Sequence, residues 1–126
     1  MNVLSQEWVD KAEGDFHTAL RESRVRKAPN YDAVCFHSQQ CAEKYLKAYL
    51  QEHNQSFPYR HDLIPLLDLT LLYDALIEML RPWLIDLNHY AIDFRYPGER
   101  AVKEDAQDAI RAIRHVRDFM RQKLGI

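Results

Sequence analysis

Tyr31-Asp32-Ala33-Val34-Cys35-Phe36-His37-Ser38-Gln39-Gln40-Cys41-Ala42-Glu43-Lys44-Tyr45-Leu46-Lys47-Ala48-Tyr49-Leu50 is the stretch on which the fold turns. Ala33, Cys35, Phe36, Ala42, Tyr45, Leu46, Tyr49 and Leu50 recur at helical spacing over at least about four turns, a broad apolar stripe rather than a narrow seam. Pro29-Asn30 punctuates the chain before it, and Asn54-Gln55-Ser56-Phe57-Pro58-Tyr59-Arg60 reads as a loop after it. Upstream, Trp8, Ala12, Phe16, Ala19 and Leu20 repeat the period, so a first helix is expected from Ser5, a plausible N-cap, to about Ser23. Downstream, Asp62 can cap a short helix that tolerates Pro65 in its first turn. Leu72 to about Ile92 is helical by pattern, with Pro82 ending or kinking it partway. A last helix opens with Glu104 and Asp105 and carries Ala106, Ala109, Ile110, Ile113, Val116 and Met120 on one face. It ends at Lys123 with Gly125 just beyond; acid first and base last suits the helix dipole.

Nothing alternates at period two for more than a few residues, so strands are not expected. The connections are short, which favours antiparallel neighbours. The expected fold is all-α, an up-and-down bundle of four to five helices in a single domain spanning 1–126. With 126 residues the chain is too short for two ordinary domains and long enough for a core without a disulfide or metal staple. Only 3 Gly are present and none stands in GxGxxG or GxxxxGK[ST], which makes dinucleotide-binding and P-loop chemistry improbable. The formal charge of −2 gives no global attraction for nucleic acid, so such binding needs a local patch. No secretory leader or membrane span is visible, and a cytoplasmic location is the expectation. Cys35 and Cys41 would lie about 120° apart on a helix with Cα atoms about 9 Å from each other, too far to bridge; both read as reduced, inert thiols.

Metal binding has little support, because His37 and Cys41 form the best helical pair and no second pair accompanies them. Asp86, Asp93 and Glu99 lack the marks of an acid/base couple. Glu43, Lys44 and Lys47 read as surface pairs, and His61 as a residue that positions the short helix. Tyr73, Trp83 and Tyr90 read either as core residues or as candidates for an apolar contact with a second copy. Arg21, Arg24, Arg26 and Lys27 cluster where the first helix ends. Arg111, Arg114, Arg117 and Arg121 recur along the last helix as a one-sided basic stripe, either a solvated face paired with Asp108 and Asp118 or a surface that tracks phosphates.

The densest functional composition is Leu87-Asn88-His89-Tyr90-Ala91-Ile92-Asp93-Phe94-Arg95-Tyr96-Pro97. An imidazole and a guanidinium close together are what metal-free cleavage of RNA needs. The first takes the 2′-OH proton and the second stabilises the crowded phosphorane. His89 is the candidate base, with Arg95 or Arg81 as the cation; Tyr90, Tyr96, Arg111 and Arg114 are candidates for holding RNA or a nucleotide.

The run from Tyr31 to Ala48, preceded by Trp8, Ala12 and Asp15 and followed by Arg60-His61-Asp62-Leu63 with Leu67 and by Arg95-Tyr96-Pro97, resembles the HEPN domain over nearly the whole chain. The resemblance implies an all-α bundle that dimerises and needs no cofactor. It also implies pairing with a minimal nucleotidyltransferase as toxin and antitoxin, and, in active members, metal-independent ribonuclease activity on targets such as tRNA. The family's signature is an Arg followed, after a short spacer, by a His, in some members with a nearby Tyr that the transferase modifies with AMP. Here seven residues separate Arg81 from His89, and Ala91 stands where that Tyr would fall. A degenerate member kept for nucleotide binding or partner docking is therefore the alternative.

Overall fold

The computed structural model describes residues 1–91, 94 and 96–126. It contains five α-helices: α1 (Val3–Ser23), α2 (Tyr31–Glu52), α3 (Leu63–Thr70), α4 (Arg81–Asn88) and α5 (Lys103–Leu124), with no strand among the described residues. The expected all-helical bundle is what forms. α2 is its axis: from Ser38 to Leu50 every residue but Lys44 is buried, because α1, α3, α4 and α5 all pack on it. Tyr45, Leu46 and Leu50 of α2 meet Leu63, Leu66 and Leu67 of α3, Leu84 and Leu87 of α4, and Ile113 and Met120 of α5 in one core.

Three local expectations are corrected. Asn2, not Ser5, caps α1: its Oδ1 accepts from the Ser5 N–H at 2.8 Å, and its own N–H donates to Glu52 at 2.9 Å. Ser5 thereby lies buried within the first turn, against the end of α2. The segment from Leu72 is not one helix. Asp74 caps a 3₁₀ helix over Ala75–Leu80, and α4 begins afresh at Arg81. Pro82 opens α4 instead of ending a longer helix, since the first turn is where a missing N–H costs nothing. The third correction concerns direction. The backbone after α2 doubles back along it, so that the His61 carbonyl accepts from Gln39 at 2.8 Å, while the Tyr73 hydroxyl beyond α3 reaches Gln55. α3 therefore runs parallel to α2, because residues 53–62 are a returning strap and not a tight turn.

At the start of α3 and the end of α5 sequence and structure agree. Asp62 caps α3 through the Ile64 N–H at 3.0 Å, and Gly125 closes α5 at φ 76°, a left-handed conformation that glycine adopts without strain.

The Gln39-Gln40-x-x-Glu43 run also departs from expectation. Glu43 and Lys47 are not a surface pair: their side chains are 3% and 7% exposed, 3.0 Å apart. Gln40 donates to both Gln39 and Glu43, His61 Nδ1 lies 3.0 Å from Glu43, and the Lys47 ammonium sits over the rings of Trp8 and Phe57. Lys44 instead reaches across to Asp15 of α1, which also holds His37 Nδ1 at 2.7 Å.

α1 and α5 are joined by Glu13, which accepts a bidentate pair from Arg117 together with the Tyr45 hydroxyl at 2.6 Å. Burial pushes the Glu13 carboxyl up, but hydrogen bonds from Arg117 and Tyr45 and the charges of Arg117 and Arg121 outweigh it. They hold the group below the ordinary value of 4.5. A carboxyl with a depressed folded-state pKa binds fewer protons folded than unfolded, so its contribution is present above the unfolded value and is lost as pH falls through the folded one. Melting temperature is expected to fall more steeply on acidification below pH 4.5 in the wild type than in Glu13→Gln, followed by circular dichroism. Parallel curves would remove Glu13 as an acid-sensitive latch.

Candidate functional site

His89 follows the last residue of α4, and that end is fixed from outside the helix. The Asn88 side chain accepts from the Leu63 N–H at 2.7 Å and donates to Asp62 at 2.9 Å, stapling the end of α4 to the start of α3. The Tyr90 ring lies edge-on beneath His89 at 4.4 Å between centroids, leaving the imidazole at the surface over a buried phenol. Across from it runs α5. Between α4 and α5 lies an open groove of about 310 Å³, into which His89, Trp83 and Asp86 face from one side and Arg111 and Asp108 from the other. Trp83 forms an end wall, stacked on His115 of α5 at 4.3 Å with only 10° between the planes.

The guanidinium of Arg111 is 3.0 Å from Asp108, and both side chains are more than half exposed. Such a pair is weak and exchanges readily for another anion. An imidazole and a guanidinium thus share one groove, the guanidinium paired with an exposed carboxylate.

The matching family model is the HEPN domain, over residues 5–123. The chain belongs to the HEPN family. Among solved structures, this HEPN chain is similar to the crystal structure of TT1696 from Thermus thermophilus, with TM-score 0.79 and 22% identity over 94% of this chain and 97% of that one. At that identity the likeness shows the shared fold. A comparison with curated proteins returns no significant match. No helix among the described residues is long and apolar enough to cross a membrane.

Within this HEPN fold the expected site residues separate. Arg81 stands at the start of α4 and His89 just past its end, about 12 Å along the helix axis. Its guanidinium is held by Glu78 at 2.6 Å and Asp68 at 2.7 Å, so the structure does not bring this pair together. Arg95 and Asp93 lie outside the described residues. Tyr90 is 7% exposed, and burial, followed by the charges of Cys35, Asp105, Asp108 and Asp86, drives its hydroxyl well above the ordinary value. Tyr96 is 65% exposed. Tyr73 stacks on His53, and the half-buried Trp83 on His115.

The basic stripe on α5 is split by its partners. Arg117 and Arg121 turn inward to Glu13 and Tyr45, Arg114 leans over Phe16 of α1 at 5.9 Å, and Arg111 faces the groove. The juxtaposition of Arg111 with His89 has no counterpart in local spacing, since it depends on how α4 crosses α5. Among the described residues no cluster of three or more His, Cys, Asp or Glu is arranged to hold a metal ion. Cys41 is buried beside His37, whose Nδ1 is taken by Asp15.

Both thiols are buried. Burial, then the charges of Asp105, Asp32 and Asp108, pushes Cys35 up to about 12, and burial raises Cys41 well above its ordinary value. Iodoacetamide at pH 8 is expected to leave the folded protein's intact mass unchanged and to add two adducts once denaturant is present. Rapid native labelling would contradict the burial of these helix faces.

Proposed function

We propose that this HEPN protein is a metal-independent endoribonuclease acting on structured RNA such as tRNA, and the toxin half of a module with a minimal nucleotidyltransferase. The observation that carries the reading is that His89 and Arg111 face one open groove. His89 accepts the 2′-OH proton and the freed oxygen attacks the adjacent phosphorus. Arg111 leaves Asp108 to stabilise the phosphorane, and the 5′-oxygen departs with a proton returned from the imidazolium. The products are a 2′,3′-cyclic phosphate and a 5′-hydroxyl, and every step uses groups of the chain and the substrate alone. The half-buried Trp83 supplies a ring at the groove's end for a flanking base. A second copy of the chain, as in the dimers typical of the family, places a second groove in the same particle.

The test is cleavage of labelled tRNA in EDTA by the wild type, His89→Ala and Arg111→Ala. Cleavage lost in both variants supports the reading. An inactive, folded wild type moves it to the non-catalytic alternative, a module that binds nucleotide or docks the transferase. In that alternative Tyr96 is the available acceptor for AMP, because it is 65% exposed while Tyr90 is 7% exposed. Intact mass after incubation with transferase and ATP reads it directly.

A further inference from the structure

A second groove shares Tyr90 with the one lined by His89 and Arg111. It has a volume of about 370 Å³, within the range of small-molecule sites. Its apolar walls are Phe36 of α2, Tyr90 and Phe94, the last two stacked at 5.6 Å with 26° between their planes. Its polar rim is Asn30, Asp32 and His37. These rim groups are already oriented. Asn30 spends its Oδ1 on the Ala33 N–H at 3.0 Å, which leaves its NH₂ as a donor. Asp15 takes His37 Nδ1 at 2.7 Å, which leaves Nε2 as that ring's hydrogen-bonding atom. Asp32 gives Oδ1 to the Ala101 N–H at 2.6 Å and keeps Oδ2.

Aromatic faces with a rim of both donors and acceptors suit a flat heteroaromatic ring with polar edges. The carboxylate of that rim, Asp32, is an acceptor for a ring N–H or exocyclic amine. The neighbouring groove carries the imidazole of His89 and the guanidinium of Arg111, beside the carboxylates of Asp86 and Asp108. Tyr90 lines both grooves.

We propose that the Phe36–Tyr90–Phe94 groove is a nucleobase subsite. One unstacked base of single-stranded RNA inserts there while its phosphate lies across Tyr90 at His89 and Arg111. The inference rests on the proposed RNA cleavage for its substrate class, and its test is built to separate the two.

The probe is a single-stranded hexamer with 2′-O-methyl sugars, which lacks the attacking hydroxyl, carrying one central 2-aminopurine. A matched hexamer is abasic at that position. Binding to the full chain is followed by 2-aminopurine quenching and by anisotropy of an end label. The base is expected to tighten binding about tenfold over the abasic probe and to be quenched. Phe94→Leu is expected to erase both effects and Phe94→Trp to keep them, with circular dichroism confirming that each variant is folded. The comparison of probes on the wild type needs no variant. Equal affinity for base and abasic probes overturns the subsite, as does quenching that survives Phe94→Leu. If tRNA is cleaved in EDTA while the two probes bind alike, the subsite fails and the nuclease stands. If Phe94-dependent binding persists without cleavage, the nuclease fails and the subsite stands.

Discussion

His89→Ala is expected to lower the rate of tRNA cleavage in EDTA by about 10²–10⁴-fold, the usual contribution of a positioned acid/base group. The ring sits at the surface at the end of α4, and what fixes that end is Asn88, which the substitution leaves in place. Melting temperature should therefore stay close to the wild-type value, so that a lost rate reads as lost chemistry. Arg111→Ala should cost about 10²–10³-fold, since a donor aimed at developing charge contributes on that scale. Its partner Asp108 is exposed and remains solvated when left alone. Arg81→Ala is the discriminating control: it removes the ties to Glu78 and Asp68 at the other end of α4 and should leave the rate nearly unchanged. A rate that collapses in Arg81→Ala and survives in Arg111→Ala would move the site out of the α4–α5 groove.

The largest effect on stability is expected at Lys47. Its ammonium and the Glu43 carboxylate are both buried, and removing one partner of a buried pair costs about 3–5 kcal/mol because the other charge is left uncompensated. His61 and Gln40 still reach Glu43, which places Lys47→Met toward the lower end. A melting temperature lowered by roughly 10–20 °C is the corresponding shift for a chain of this size. The double variant Glu43→Gln/Lys47→Met removes both charges and should recover a good part of the loss. Lys44→Met, one residue position from the same motif, breaks a partly exposed pair with Asp15 and should cost about 1 kcal/mol or less. If Lys44→Met and Lys47→Met destabilise equally, the buried network is not what distinguishes them.

The difference between these two lysines marks where sequence reading stops. Helical period identified α1, α2 and α5 because each has an apolar face, and Asp62, Pro65 and Gly125 mark their elements by local chemistry that needs no tertiary contact. Period cannot say that α2 is enclosed on nearly every side. Glu43 and Lys47 stand at the i,i+4 spacing typical of solvated pairs and become internal only because Trp8, Phe57 and His61 close over them. Pro82 is ambiguous by nature, since the residue that ends one helix is also suited to open the next. It took the 3₁₀ segment capped by Asp74 to decide between them. For the site, the stretch around His89 was legible as the polar junction where two helices meet. Its companion Arg111 was visible only as one member of a stripe, because the fold gives Arg117 and Arg121 to Glu13 and leaves Arg111 to the groove.

The Glu13–Arg117 tie also bears on the order in which the molecule assembles. α1 and α2 are successive helices with close-range partners, the kind of hairpin that closes a short loop and gains contacts early. Glu13 and Arg117 are 104 residues apart in sequence, so their meeting closes a loop that spans most of the chain. One face of the α4–α5 groove depends on that docking, because α5 carries Arg111 toward the groove and Arg117 toward Glu13. A partly folded chain that already holds the α1–α2 hairpin has no groove. The proposed activity thus requires α5 in place, because a chain without it lacks Arg111 and one wall of the groove.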